Sequence, residues 1–99
     1  MVKDFENIDL KNFFNKQPVS KAYIFGSCAR NESTPESDMD FLLEMDDSAD
    51  LFQLISIKLH LEKLFNRSVD IITTNSISSR LKPYIDEDKI LIYERQIIR

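Results

Sequence analysis

The 99-residue chain contains one glycine, Gly26, one cysteine, Cys28, and no apolar run longer than four residues, Ala22 to Phe25 being an example. One cysteine leaves no partner for an internal disulfide and suits a reducing compartment, so a cytoplasmic location is expected. Four apolar residues in a row fall far short of the ~20 that a membrane-crossing helix needs, so no membrane association is expected. Basic residues are also scarce: 13 Lys and Arg stand against 17 Asp and Glu, for a net charge of −4. Sequence-independent nucleic-acid binding depends on basic side chains displacing counterions, so direct nucleic-acid binding is not expected. The first residues carry Asp4 and Glu6 without an apolar core and do not read as a secretory leader. Linkers, repeats and low-complexity stretches are absent, which predicts a single domain over residues 1–99.

A chain that uses glycine once has placed it where positive φ or close approach of a ligand to the backbone excludes a side chain. Gly26 follows the apolar segment Ala22-Tyr23-Ile24-Phe25 and opens Gly26-Ser27-Cys28-Ala29-Arg30. Strand, Gly-Ser and then the start of a helix is an arrangement whose free N–H groups point at an anion such as phosphate. Gly-Ser pairs also make ordinary turns, so the motif alone does not decide.

Two aspartates follow, in Ser37-Asp38-Met39-Asp40. In an extended strand over 38–45, alternation puts Asp38, Asp40, Leu42 and Glu44 on one face and Met39, Phe41, Leu43 and Met45 on the other. The two carboxylates would lie about 7 Å apart along the strand, within reach of one metal ion or of adjacent ions. Aspartate is also common where a loop enters a strand, but Asp40 sits inside the apolar run, where an uncompensated carboxylate is costly.

A third carboxylate, Asp70, interrupts the β-branched segment Val69-Asp70-Ile71-Ile72-Thr73. Aspartates on neighbouring buried strands repel each other unless a cation lies between them, so Asp38, Asp40 and Asp70 together predict a divalent metal site. Oxygen ligands of this kind suit Mg²⁺, and two such ions about 4 Å apart can stabilise the attacking and leaving oxygens of a displacement at phosphorus. Asp38 and Asp40 would hold the ion that accompanies a triphosphate and also touch the second ion. Asp70 would ligate only the second and take the acceptor's proton. Ser27 and the amides of Gly26 and Ser27 would hold the outer phosphates, and Arg30 would face a phosphate or developing negative charge. An EF-hand is excluded because no glycine follows Asp38 at the required place.

The remaining pattern predicts an α/β fold. Leu10, Phe13 and Phe14 give helical spacing over Ile8 to Lys16, ending before Pro18. Strands are expected at Lys21 to Phe25, at 38–45, at Val69 to Thr73 and at Ile90 to Tyr93. Asp50 with Gln53 three residues on predicts a capping box for a helix reaching Phe65. Its apolar stripe is Leu51, Leu54, Ile55, Ile57, Leu61, Leu64 and Phe65; Phe52 and Leu59 lie outside it and are expected to extend the core, the alternative being an apolar contact with a partner. His60 is expected on the surface. Ser76 or Ser78 would cap a short helix containing Leu81 and continuing past Pro83 to Ile85. These elements build a small mixed β-sheet with helices packed mainly on one face and the aspartates on the other. The acidic residues Glu44, Asp46, Asp47 and Asp50 read as a solvated loop, and Cys28 as a packing residue.

Gly26-Ser27-x-Ala29-Arg30, then Ser37-Asp38-x-Asp40-x-Leu42, then Asp70 in a Val-Asp-Ile strand closely resembles the minimal nucleotidyltransferase branch of the polymerase-β-like superfamily. The resemblance runs from the segment before Gly26 to Ile90-Leu91-Ile92-Tyr93 and includes Ser37 among the nucleotide-contacting residues. Many relatives carry glycine after the motif arginine, where this chain has Asn31, a residue that tolerates left-handed backbone. The resemblance implies a polymerase-β-like nucleotidyltransferase fold and a Mg²⁺-dependent enzyme with ATP as substrate. It further implies an antitoxin that transfers AMP to a tyrosine hydroxyl of a helical HEPN-type toxin. The alternative it leaves open is a non-catalytic antitoxin that neutralises its partner by binding alone. At 11.6 kDa a chain buries about two thirds of its surface, enough for one core but not for a separate acceptor-binding domain, so a protein acceptor is expected.

Overall fold

The computed structural model describes residues 8–96; Asp4 and Glu6 lie outside the described residues. Its elements are α1 (Ile8–Asn15), β1 (Val19–Phe25), β2 (Met39–Met45), α2 (Leu51–Phe65), β3 (Val69–Thr73), a 3₁₀ turn (Thr74–Ser76), α3 (Lys82–Asp88) and β4 (Ile90–Glu94). The strands form one sheet in the order β3-β2-β1-β4. β1 pairs antiparallel with β2 and with β4, while β2 and β3 run parallel. Parallel neighbours need a crossover, and α2 supplies it.

The tightness of this crossover follows from its caps. The Asp50 side chain accepts from the Gln53 amide at 2.8 Å, and the Gln53 side chain accepts from the Asp50 amide at 2.9 Å, completing the reciprocal capping box. At the other end Asn66 adopts φ 53°, a left-handed stop that redirects the chain into β3. Ser78 Oγ accepts from the Leu81 amide at 3.3 Å ahead of α3, and Pro83 sits in its first turn, where a missing N–H does no harm.

One core lies between the sheet and the first two helices. Leu10 and Phe14 of α1 and Ile57 and Leu61 of α2 pack against Ala22, Ile24, Met39, Phe41, Leu43 and Val69, with Cys28 buried beside them. The alternation expected of β2 is therefore real, with Met39, Phe41 and Leu43 as its inner face. The opposite face of the sheet is not bare. Leu42 and Ile85 are both buried outside that cluster. Lys89, just past α3, lies 5.0 Å over the ring of Tyr23, which alternates with core-facing Ala22 and Ile24. α3 thus covers part of the second face, while α1 and α2 share the first.

Helix α2 departs from expectation. Phe52 and Leu59, expected in the core, are 82% and 59% exposed, and Leu51, Ile55 and Leu64 of the predicted stripe are exposed as well. At 100° per residue the buried pair Ile57 and Leu61 and the half-buried Leu54 and Phe65 span one arc. Residues 51, 52, 55 and 59 fall on a separate, exposed arc. His60 is exposed as expected, with its ring stacked on Phe13 at 3.9 Å. The acidic cluster is more structural than predicted: Asp50 caps α2, Asp46 pairs with Arg95, and Glu44 accepts from Ser20 Oγ at 2.7 Å. Among the described residues no helix is long and apolar enough to cross a membrane.

This division predicts opposite outcomes for two phenylalanines. Phe41→Ala should cost about 3–5 kcal/mol in denaturant unfolding, and Phe52→Ser should stay within about 0.5 kcal/mol of the parent. Comparable losses for both would contradict the assignment of the core.

Candidate active site

Gly26 ends β1 with φ +71°, and the reason lies across the sheet. Phe25 is the register partner of Asp40, so the chain turns away from β1 directly beneath the Asp40 side chain. A Cβ built on Gly26 would collide with Asp40 Oδ2 and stand 3.4 Å from its Cγ. Any larger residue would push the carboxylate away, besides paying the left-handed penalty of an L side chain.

Beyond Gly26 the chain makes one helical turn, as expected of this short stretch, within a run of turns that does not continue into a helix. The Arg30 amide reaches the Gly26 carbonyl at 3.1 Å, the Asn31 amide reaches Cys28 at 3.3 Å, and the Glu32 amide reaches Ser27 at 2.8 Å. The i to i+4 bond is a single helical turn that Asn31 then ends at φ 59°, the left-handed geometry anticipated for it. Buried Cys28 pins this turn to the core.

Strand β2 begins at Met39, one residue later than predicted, so Asp38 belongs to the incoming loop and is exposed. Its neighbours are fixed. Ser37 Oγ accepts from the Thr34 amide at 2.9 Å and lies 3.0 Å from Thr34 Oγ1, so this hydroxyl is engaged in holding the loop. Asp40 and Asp70 are register partners on the parallel strands β2 and β3, a pairing that turns both side chains to the same face of the sheet.

The electrostatics converge on Asp40. Burial is the largest effect holding its carboxyl above the ordinary value, followed by the negative charges of Asp70 and then Asp38; Arg30 opposes them. All three carboxylates and the arginine thus act on one point, although Arg30 donates to Glu32 at 3.2 Å and to Asp88 of α3. Among the described residues no three acidic, histidine or cysteine side chains are already drawn into a metal-ligating cluster. Carboxylates that repel one another have no reason to close up without a cation. Hard oxygen donors and mutual repulsion at Asp40 fit a divalent metal ion.

Sequence reasoning missed Arg67, whose guanidinium donates to the carbonyls of Thr34 and Ser37, and Asp88, the distant partner of Arg30. Neither carries a local signal, because each contact joins segments at least 30 residues apart.

Two outcomes follow. Gly26→Ala should lower stability by about 1–2 kcal/mol in denaturant melts from the left-handed strain alone; an unchanged midpoint would contradict the left-handed geometry at Gly26. Because the folded Asp40 carboxyl binds its proton more tightly than the unfolded one, stability falls as pH rises through the folded value, and the penalty disappears in acid below the ordinary carboxylate range. Asp40→Asn should therefore raise Tm at pH 7 in metal-free buffer, with the gain shrinking as pH drops through that range. A lower Tm at pH 7 would contradict it.

Comparison with known proteins adds an independent line. Residues 8–98 match the family described as polymerase beta, nucleotidyltransferase. Two provisionally named protein adenylyltransferases of Methanocaldococcus jannaschii are 43% identical over 71% of this chain and 75% of their own length, and 38% identical over 92% and 94%. A solved structure assigned provisionally as a minimal nucleotidyltransferase superposes with TM-score 0.73 at 27% identity, covering 90% of each chain. A chain in a toxin–antitoxin crystal structure with AMP-PNP gives TM-score 0.74 at 19% identity over 94% of this chain and 75% of that one. A chain in the structure of a tri-AMPylated Shewanella oneidensis HEPN toxin in complex with its MNT antitoxin gives 0.68 at 20%, over 96% and 74%. These last two likenesses concern the fold alone. With the glycine turn, the paired aspartates and a four-stranded mixed sheet already in place, the family match over nearly the whole chain settles its membership: the protein belongs to the polymerase beta nucleotidyltransferase family.

Proposed function

We propose that this nucleotidyltransferase acts as a single domain that transfers AMP from ATP to a tyrosine hydroxyl of a helical HEPN-type toxin, and so serves as that toxin's antitoxin. The observation that carries the reading is the register pairing of Asp40 with Asp70, with the Asp40 carboxylate seated where Gly26 lacks a side chain. The names of the Methanocaldococcus jannaschii relatives support adenylyl transfer to protein, and the toxin–antitoxin neighbours support the kind of partner.

Asp38, Asp40 and Asp70 would hold Mg²⁺, two ions in all, which when bound supplies charge neutralisation at the phosphates and a lowered acceptor pKa. Asp70, exposed on β3 as Asp38 is on its loop, takes the proton of the acceptor hydroxyl. The hydroxyl oxygen attacks the α-phosphorus, a new phosphoester bond forms, the bond to the bridging oxygen breaks, and pyrophosphate leaves. Ser27 and the turn amides hold the outer phosphates, with Ser37 shaping the loop beside them. Arg30 exchanges part of its contact with Glu32 and Asp88 for a phosphate oxygen. The acidic surface disfavours a nucleic-acid acceptor.

Incubation with labelled ATP, Mg²⁺ and a helical HEPN-type toxin tests the reading. Label should move to a partner tyrosine, chelation should stop it, and Asp70→Asn should reduce transfer by about 10²–10⁴-fold while nucleotide affinity stays within a few fold. Tight partner binding without label transfer would instead support neutralisation by complex formation alone.

A further inference from the structure

Asp38 is an exposed loop residue, yet both peptide groups that flank it are anchored to the same short segment. On its N-terminal side, the Ser37 carbonyl accepts from Arg67 Nε at 3.1 Å and from an Arg67 terminal nitrogen at 2.7 Å. That terminal nitrogen also donates to the Thr34 carbonyl at 2.8 Å. On the C-terminal side, the Met39 amide donates to the Ser68 carbonyl at 2.9 Å. Residues 67 and 68 thus grip the backbone before and after Asp38, and Asp70 lies only two residues further along the same segment.

The gripping segment is itself held. Asn66 turns the chain at φ 53°, the Arg67 amide reaches the Glu62 carbonyl at 3.3 Å, and the Glu62 carboxylate accepts from the Val69 amide at 3.1 Å. Arg67 is half-buried and its planar fork of donors matches two carbonyls at once, which a lysine ammonium cannot do with the same geometry.

We infer that Arg67 is a positioning residue that sets the Asp38 carboxylate at a fixed height relative to Asp70, and so prearranges the metal-holding carboxylates. The inference rests on the metal-dependent reading of the site. Arg67 touches neither nucleotide nor acceptor in this account; it acts through the Thr34–Asp38 loop.

The test uses the full chain with Mn²⁺ as the metal probe. Arg67→Gln should retain a cooperative melt, speed amide exchange in residues 34–38 and weaken Mn²⁺ binding, each by about tenfold, as losses of groups that orient metal ligands commonly do. Arg67→Lys should fall between the two, and Lys63→Gln, an exposed cation at the end of α2, should leave all of these unchanged. In an Asp38→Asn background, Arg67→Gln should still loosen the loop but weaken Mn²⁺ binding no further, the signature of coupling through Asp38. Faster loop exchange with unchanged Mn²⁺ affinity, or equal losses with and without Asp38, would overturn the inference. If the parent binds Mn²⁺ but never transfers AMP, the functional reading fails while the exchange and Mn²⁺ results still decide the role of Arg67. Absence of Mn²⁺ binding by the parent overturns both.

Discussion

The site depends on the contact between one carboxylate and one missing side chain. Asp40 rests against the α-carbon of Gly26 because β1 and β2 are paired so that Phe25 faces Asp40, and the next residue must turn left-handed beneath it. This contact ties the glycine turn to the strand carrying the acid. The glycine turn and the Asp40 side chain are then parts of a single local geometry, backed by the Met39, Phe41 and Leu43 core. A change at either residue moves both.

Bringing negative charge to that point works against the fold. Asp70 is in register with Asp40, Asp38 stands at the mouth of the strand, and the carboxyl between them is held above its usual value by burial and by both neighbours. Arg30 relieves only part of this, since Glu32 and Asp88 also claim it. The natural relief is a divalent cation, so the same repulsion that weakens the free protein favours binding of the metal. Arg67 answers the same problem by mechanical means, gripping the loop that would otherwise let Asp38 drift from its neighbours.

Sequence patterns revealed the parts of the fold that rest on local rules. Alternation in β2 sorted Met39, Phe41 and Leu43 inward, the Asp50 and Gln53 spacing marked the start of α2, and β3 had the bounds its β-branched residues suggested. The lone glycine does occupy a positive φ, and Asn31 a left-handed turn. What the sequence concealed were properties of the assembled sheet. Phe52 and Leu59 look like core residues in composition, but a four-stranded sheet accepts only one arc of α2. The covering of the second face by α3, the Arg30 to Asp88 pair and the Arg67 grip all join distant segments and leave no periodic trace. The three aspartates, the glycine and Arg30 stood out in the sequence by type and spacing, whereas Arg67 and Asp88, which contact the Thr34–Ser37 loop and Arg30, did not.

The most direct measurement is the anomalous scattering of Mn²⁺ in crystals of the chain grown with a non-hydrolysable ATP analogue. Density is expected for manganese ligated by Asp38, Asp40 and Asp70, with the phosphates against the Gly26 turn. Manganese bound elsewhere, or density from which any of the three carboxylates turns away, would contradict it.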